Sequence, residues 1–249
     1  ALAAPVHING TEVMAGASVG MTFNNLGPRS ADEILRDADL AMYEAKAAGR
    51  GRVVLFDQSM HDRVAQRLAL ENDLRHAVGE GKLSLNFQPI YQLEPHRLSG
   101  FEALVRWVHP VRGPVSPAVF VSLAEESEII EALSRWVIDE AVAQLAAWHR
   151  MAPHMAHLTV NVNISGRDLA RTDLPDYVFS VLDKHAMAPA QLTLEITETT
   201  LMARLDVALR TMERLRTRGV RFSIDDFGTG YSSLAYLSTL PIDSLKIDR

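Results

Sequence analysis

The chain has 249 residues, 47% of them hydrophobic, and a formal net charge of −6, which fits one large domain or one domain with part of another. The negative charge disfavours DNA as a partner, because nucleic-acid-binding proteins usually present a basic face. The absence of cysteine excludes disulfides, thiolate zinc sites and cysteine nucleophiles. No run of about 18 apolar residues is present, so no membrane-spanning helix is predicted and the expected location is the cytoplasm.

Residues 1–57 are predicted to form a small α/β segment. Apolar side chains alternate with other residues over positions 11–21, as they do in a β-strand. A helix is predicted over residues 31–48, because Ser30 and Glu33 have the spacing of a capping box at its start. This segment contains too little apolar surface to be stable as a separate domain.

A linker is predicted at residues 58–81. Its central part, residues 60–78, is predicted to be a helix that carries Val64, Leu68 and Leu74 on one side. Glycines at the end of this run indicate where the helix stops.

Strands and helices alternate from residue 82 to the end of the chain, which predicts βα units and a parallel sheet. Six strands are predicted, at residues 85–90, 98–107, 158–164, 191–197, 220–225 and 244–248. Four helices are predicted between them, at residues 117–126, 129–150, 174–185 and 205–218. This order is that of a TIM-like (β/α)₈ barrel of the α/β class, of which about six strands are present.

Five of these strands have one apolar face and one face with polar groups, most of them late in the strand. Side chains alternate between the two faces of a strand, and the C-terminal strand ends of a barrel converge on its active site. Five polar side chains, one from each strand, would therefore meet: Glu102, Asn163, Glu195, Asp225 and Lys246. Taken singly, Glu102 could be a surface carboxylate and Asn163 part of a turn and helix cap. Their shared parity favours a functional site.

A glycine-rich turn follows the fifth predicted strand, with the sequence Asp225-Asp226-Phe227-Gly228-Thr229-Gly230-Tyr231-Ser232-Ser233. Two adjacent carboxylates at a strand end can hold divalent cations, and Lys246 at the next strand end is placed to act on water. This combination indicates phosphoester chemistry. The Asp-Phe-Gly triplet also occurs in protein kinases, but the chain has no glycine-rich nucleotide loop and no kinase catalytic loop, so that interpretation is rejected.

Six motifs make the chain resemble the EAL-type phosphodiesterases of bacterial cyclic di-GMP signalling over about residues 82–249. In the family's order, they are Gln88-Pro89-Ile90, Glu102-Ala103-Leu104 continuing as Val105-Arg106-Trp107, Asn163-Ile164-Ser165, Glu195-Ile196-Thr197-Glu198, the turn at residues 225–233, and Lys246-Ile247-Asp248. The resemblance implies a barrel of EAL type and hydrolysis of cyclic di-GMP to the linear dinucleotide pGpG.

The resemblance also implies a site for two divalent cations, Mg²⁺ or Mn²⁺, held by oxygen ligands. The implied ligands are Glu102, Asn163, Glu195, Asp225 and Asp226, with Asp225 bridging the two ions. Lys246 is implied to orient or help deprotonate the attacking water, as a catalytic residue beside Glu102, Asp225 and Asp226.

Further roles follow from the same resemblance. The residues implied to contact substrate or support that contact are Gln88, Leu104, Arg106 and Asp248, with Arg106 on a phosphate and Gln88 at a guanine or the backbone beside it. Glu198 is implied to stabilise the turn at residues 225–233 and not to bind metal. A homodimer formed through this domain is also implied.

Residues 1–57 resemble the C-terminal tail of a GGDEF (diguanylate cyclase) domain, through Ala17-Ser18-Val19-Gly20 and the run at residues 38–50. The GGDEF signature is not in the chain, so no cyclase activity is assigned to it. We expect the chain to be a piece of a longer protein, with a GGDEF or sensory region before it and the last two strand–helix units of the barrel after it. A membrane anchor elsewhere in that protein is left open.

Two alternatives to an active phosphodiesterase remain. One is a non-catalytic receptor that binds cyclic di-GMP and signals by a conformational change, or an inactive fragment of an enzyme. The other is a scaffold that engages proteins and binds no nucleotide. The intact Glu102, Asp225-Asp226 pair and Lys246 favour the enzyme, because degenerate members of the family often lose these residues.

Overall fold

A computed structural model of the protein describes residues 6–8, 11–13, 16–23, 29–47, 49–203, 205–228 and 240–247. The chain divides into two compact units, Ala1–Leu70 and Glu71–Arg249. Within the described ranges, no helix is both long enough and apolar enough to cross a membrane.

The first unit combines short strands with one long helix. Its elements are β1 (Val6–Ile8), β2 (Thr11–Val13), β3 (Val19–Met21), α1 (Ala31–Ala47) and β4 (Val53–Leu55). β1 pairs with β2 antiparallel, and β3 pairs with β4 parallel. The single strand predicted over residues 11–21 is therefore wrong, because β2 and β3 belong to different sheets. Gly16 lies between them, and an interior glycine weakens a strand.

The predicted capping box at the start of α1 is confirmed. The backbone amide of Glu33 donates to Ser30 Oγ at 3.2 Å, and the backbone amide of Ser30 donates to Glu33 Oε2 at 2.7 Å. These two bonds satisfy donors that the first turn of a helix leaves without partners.

The connector helix, α2 (Ser59–Gly79), extends the predicted bounds by one residue at each end. Its predicted apolar side is wrong at Leu68, which is 57% exposed, whereas Leu70 and Leu74 are buried. Leu68 lies six residues before Leu74, so about 240° of helix rotation separates them at 3.6 residues per turn.

The second unit contains a seven-stranded sheet and six helices among the described residues. Its elements are β5 (Leu83–Gln92), β6 (Arg97–His109), β7 (Gly113–Val115), α3 (Pro117–Glu126), α4 (Ile129–Met151), β8 (Thr159–Asn163), α5 (Gly166–Leu169), α6 (Leu174–Lys184), β9 (Leu192–Thr197), α7 (Glu198–Ala203), α8 (Leu205–Arg216), β10 (Arg221–Phe227) and β11 (Ser244–Ile247). The strand order is β11-β10-β9-β8-β6-β5, with β7 paired to β6. The six predicted strands and four predicted helices are confirmed: α3 has the predicted ends, and most other ends differ by one or two residues. Residue 248, the predicted end of the last strand, lies outside the described residues.

The prediction of a wholly parallel sheet is wrong at its first pair. β5 and β6 are antiparallel, whereas β6, β8, β9, β10 and β11 form parallel pairs. Only residues 93–96 separate β5 from β6. A parallel pair needs a crossover of about a dozen residues or more, so this short connection can only form a hairpin.

The core lies between the parallel strands and the helices that cover them. Side chains of one strand parity are buried, among them Val160, Val162, Leu192, Leu194, Ile196, Phe222 and Ile224. The apolar sides of α4, α6 and α8 are buried too. Because this parity fills the core, the opposite parity is left to line the polar side of the sheet.

Candidate active site

Three carboxylates meet on the polar side of the sheet. Glu102 on β6, Glu195 on β9 and Asp225 on β10 each offer an oxygen, and these oxygens all lie within 4.8 Å of one another. Their side chains are 15%, 0% and 22% exposed, respectively. The strands place them by register, because Asn161 of β8 lies opposite Glu102, and Asn163 lies opposite Glu195.

Lys246 on β11 supplies the positive charge among these carboxylates. Its Nζ donates to Glu102 Oε2 at 3.0 Å, to Glu195 Oε2 at 2.8 Å and to Asp225 Oδ2 at 3.0 Å. Burial by itself lowers the pKa of Lys246, but hydrogen bonds and charge from the carboxylates outweigh burial and raise it. The ammonium is therefore protonated at neutral pH and occupies the place of a shared cation.

Two asparagine amides orient the glutamates. Asn163 Nδ2 donates to Glu102 Oε1 at 2.9 Å, and Asn161 Nδ2 donates to Glu195 Oε1 at 2.7 Å. Burial raises the pKa of Glu195, while hydrogen bonds from Lys246 and Asn161 oppose that rise. Asn163 was predicted to belong to the site, whereas Asn161 was assigned no role, although the two share a strand face.

A β-bulge separates the roles of the two adjacent aspartates. Between β10 and β11 the register passes from Ile224 opposite Leu245 to Phe227 opposite Ile247. Asp225 and Asp226 thus lie opposite Lys246 alone, and Asp226 has a φ of 53°. Bulges re-aim side chains in this way. Asp225 joins the carboxylates, whereas Asp226 lines the neighbouring cavity.

The turn after β10 is anchored by Glu198, which is 2% exposed. Its Oε2 accepts a hydrogen bond from the backbone amide of Gly228 at 3.0 Å. Gly228 has a φ of 99°, a left-handed conformation that favours glycine. Residues 229–233 of the predicted glycine-rich turn and the predicted substrate residue Asp248 lie outside the described residues.

A cavity of about 610 Å³ borders the site through Asn163 and Asp226, although none of the three converging carboxylates lines it. The predicted site residues that line it are Leu104, Arg106, Asn163 and Asp226. Apolar side chains of α3 and α4, including Val121 and Leu133, form much of the remaining wall. Gln88 is opposite Glu102 in the β5–β6 pair, which places it on the same side of the sheet. Such a volume and mixed lining suit an organic ligand with polar groups.

The segment that follows Asn163 forms the helix cap that was the alternative prediction for it, and Asn163 also belongs to the site. Asp168 Oδ2 accepts from Ser165 Oγ at 2.6 Å, from the Ser165 amide at 2.9 Å and from Ser134 Oγ at 2.7 Å. Burial raises the pKa of Asp168, which is 2% exposed, and these donors oppose the rise. The cap therefore fixes the chain directly after a site residue.

The donor set fits a hard divalent cation. Its atoms are carboxylate oxygens, which Mg²⁺ and Mn²⁺ prefer over nitrogen or sulfur. The oxygens of Glu102, Glu195 and Asp225 lie within reach of one shared cation. The convergence of these carboxylates on the Lys246 ammonium shows that their combined field already attracts positive charge.

Comparisons with known proteins agree with this geometry. The sequence profile of the EAL domain matches residues 71–249. The chain is 40% identical over 245 residues to the cyclic di-GMP phosphodiesterase NbdA of Pseudomonas aeruginosa, covering 98% of this chain and 31% of NbdA. It is also 40% identical over 245 residues to the bifunctional diguanylate cyclase/cyclic di-GMP phosphodiesterase MucR of that organism, covering 98% and 36%. The solved PaMucR phosphodiesterase in complex with c-di-GMP gives a TM-score of 0.67 at 41% identity, covering 74% of this chain and 72% of that one.

The fold and the site together define an α/β protein of the TIM-like barrel type with a carboxylate-rich site at its strand ends. The chain belongs to the EAL domain family, because the family's profile matches well over half of its residues. It spans about a third of the length of the curated relatives named above.

Proposed function

We propose that the chain carries the catalytic part of a cyclic di-GMP phosphodiesterase. The observation that carries this proposal is the convergence of Glu102, Glu195 and Asp225 on one cation position beside a ligand-sized cavity. The activities that the names of NbdA and MucR give, and the cyclic di-GMP bound to the solved MucR phosphodiesterase, support the choice of substrate.

The proposed reaction is hydrolysis of one phosphoester bond of the cyclic dinucleotide. Water adds to a phosphorus atom, one P–O bond of the ring breaks, and the product is linear pGpG. Arg106 is proposed to contact a phosphate, because its guanidinium carries a fixed positive charge and it lines the cavity. Leu104 and Gln88 are proposed to contact the remainder of the substrate, with Asp248 in a supporting role.

Two divalent cations, Mg²⁺ or Mn²⁺, are proposed to be held by Glu102, Asn163, Glu195, Asp225 and Asp226. When bound, such ions supply Lewis-acid activation of water and stabilise charge on the phosphate. Lys246 is proposed to orient the attacking water. In the described geometry the Lys246 ammonium is protonated and cannot accept a proton from water. It could do so only if bound cations neutralised the surrounding carboxylates and so lowered the pKa of Lys246.

The wider organisation is proposed from the relatives. NbdA and MucR align with 98% of the chain, which includes most of the first unit, and MucR is named as a diguanylate cyclase as well as a phosphodiesterase. This supports residues 1–57 as the tail of a GGDEF domain, residues 58–81 as a linker, and residues 82–249 as EAL domain. We also propose a homodimer formed through the EAL domain and a sensory region elsewhere in the intact protein.

The proposal is tested by incubating the chain with cyclic di-GMP and Mn²⁺ and separating the products by chromatography. We expect pGpG from the wild type, none from a folded Glu102→Ala variant, and wild-type rates from Glu140→Ala, which removes an exposed carboxylate from α4. The same assay is run on a chain extended to a closed barrel. Unchanged ligand that remains bound in both proteins would favour the receptor, and no binding in the presence of Ca²⁺ would favour the scaffold.

A further inference from the structure

We infer that Asn161 is a positioning residue that fixes the carboxylate of Glu195 so that one oxygen faces the cation position. This inference rests on the proposed function, because it concerns how the same site holds its cation. The two oxygens of Glu195 have different partners: Oε1 accepts from Asn161 Nδ2 at 2.7 Å, and Oε2 accepts from Lys246 Nζ at 2.8 Å.

The orientation of the Asn161 amide follows from the chemistry of its partner. An ionised carboxylate only accepts hydrogen bonds, so the amide nitrogen of Asn161 must face it and the amide oxygen must point away. Asn161 is held in β8, which lies between β6 and β9, with its backbone opposite Glu102 on one side and Thr193 on the other. The amide therefore reaches Glu195 from a strand that is paired along both edges.

Burial makes this bond important for Glu195. The carboxylate is fully buried in the folded protein, and Asn161 is the donor that the described residues give to Oε1. Without Asn161, the carboxylate would rotate toward its remaining partner or leave a buried acceptor without a partner, which is costly. A group that hydrogen-bonds a metal ligand orients that ligand, and its mutation typically lowers metal affinity or activity by about 10- to 100-fold.

Asn161 does not line the cavity of about 610 Å³ that Arg106 lines; with Thr159, Thr193 and Asp243 it lines a second cavity, of about 580 Å³. We therefore expect its loss to weaken cation binding and to leave the KM for cyclic di-GMP near the wild-type value. The two effects separate a positioning role from a general loss of structure, which would alter both.

The experiment measures Mn²⁺ binding directly by isothermal titration calorimetry. The variants are Asn161→Leu, which keeps the size but removes the donor, and Asn161→Ala, with Asn72→Ala on exposed helix surface as the matched control. Circular dichroism in EDTA checks folding, and Asn161→Val, which also lacks a donor, takes the place of any variant that fails to fold. We expect Mn²⁺ to bind Asn161→Leu and Asn161→Ala about 10- to 100-fold more weakly than the wild type, and Asn72→Ala to bind it normally.

Turnover at increasing Mn²⁺ gives a second readout. We expect the kcat of the Asn161 variants to rise toward the wild-type value as Mn²⁺ saturates the weakened site. Wild-type Mn²⁺ affinity in a folded Asn161 variant overturns the inference and leaves the proposed function intact. Mn²⁺ binding that depends on Asn161 in a protein that makes no pGpG overturns the proposed function alone, and a wild type that binds no Mn²⁺ overturns both.

Discussion

Replacing Lys246 with methionine tests whether its ammonium stands in for a cation. The side chain keeps much of its length but loses the charge that contacts Glu102, Glu195 and Asp225. Three carboxylates, one of them fully buried, are then left close together without a compensating charge in the absence of metal. We expect the variant to be less stable than the wild type without metal, and to regain that stability with Mn²⁺.

The magnitude follows from the exposure of the groups. Removing one partner of a buried ion pair costs about 3–5 kcal/mol. Lys246 is 33% exposed and Asp225 22%, so water screens part of the interaction, and a loss of about 2–3 kcal/mol is expected. For a protein of this size, that loss lowers Tm by roughly 4–12 °C. Saturating Mn²⁺ should return most of it, because the ion supplies the missing charge and binds the folded state selectively.

The assay is thermal unfolding of the wild type and Lys246→Met in EDTA and in Mn²⁺. Lys184→Met is the matched control, because Lys184 pairs with Asp139 while remaining 59% exposed. Exposed pairs contribute about 0–1 kcal/mol, so this variant should change little in either condition. If Lys246→Met loses no stability in EDTA, or loses the same amount with and without Mn²⁺, then the ammonium does not substitute for a cation.

Two further predictions concern the segments that support the site. Burial raises the pKa of Asp168 above its ordinary value of 3.8, so between these two pKa values the folded state binds more protons than the unfolded state. The contribution of Asp168 to the free energy of unfolding therefore falls as pH rises from 3.8 through the raised pKa. Asp168→Asn removes that dependence, so urea unfolding should shift in favour of the variant as pH rises over this window; parallel pH profiles would contradict it. Glu198→Ala removes the acceptor of the Gly228 amide, and we expect faster hydrogen exchange at Gly228 and a lower kcat, since this turn directly follows Asp225 and Asp226. Unchanged exchange at Gly228 would show that Glu198 does not hold the turn.

Local patterns in the sequence determined the helix cap at Ser30 and the strand face on which the carboxylates lie. The spacing of Ser30 and Glu33 predicted a capping box, because a capping box involves only neighbours along one helix turn. The alternation of side chains along each strand predicted that Glu102, Glu195 and Asp225 would share a face, because strand geometry fixes that period at two. The strand ends of the barrel then brought them together.

Tertiary structure decided the features that depend on contacts between distant segments. The alternation of strands and helices predicted that β5 and β6 would be parallel, but they are antiparallel. The connection at residues 93–96 is too short for a parallel pair and could have ruled that prediction out. The bulge that separates Asp225 from Asp226 depends on the register with β11, which no pattern within β10 encodes. The bond from Asn161 to Glu195 joins residues 34 apart in the sequence, and only the packing of β8 against β9 makes it. Hydrogen bonds across a sheet follow from register and burial, and these become defined only when the strands have paired.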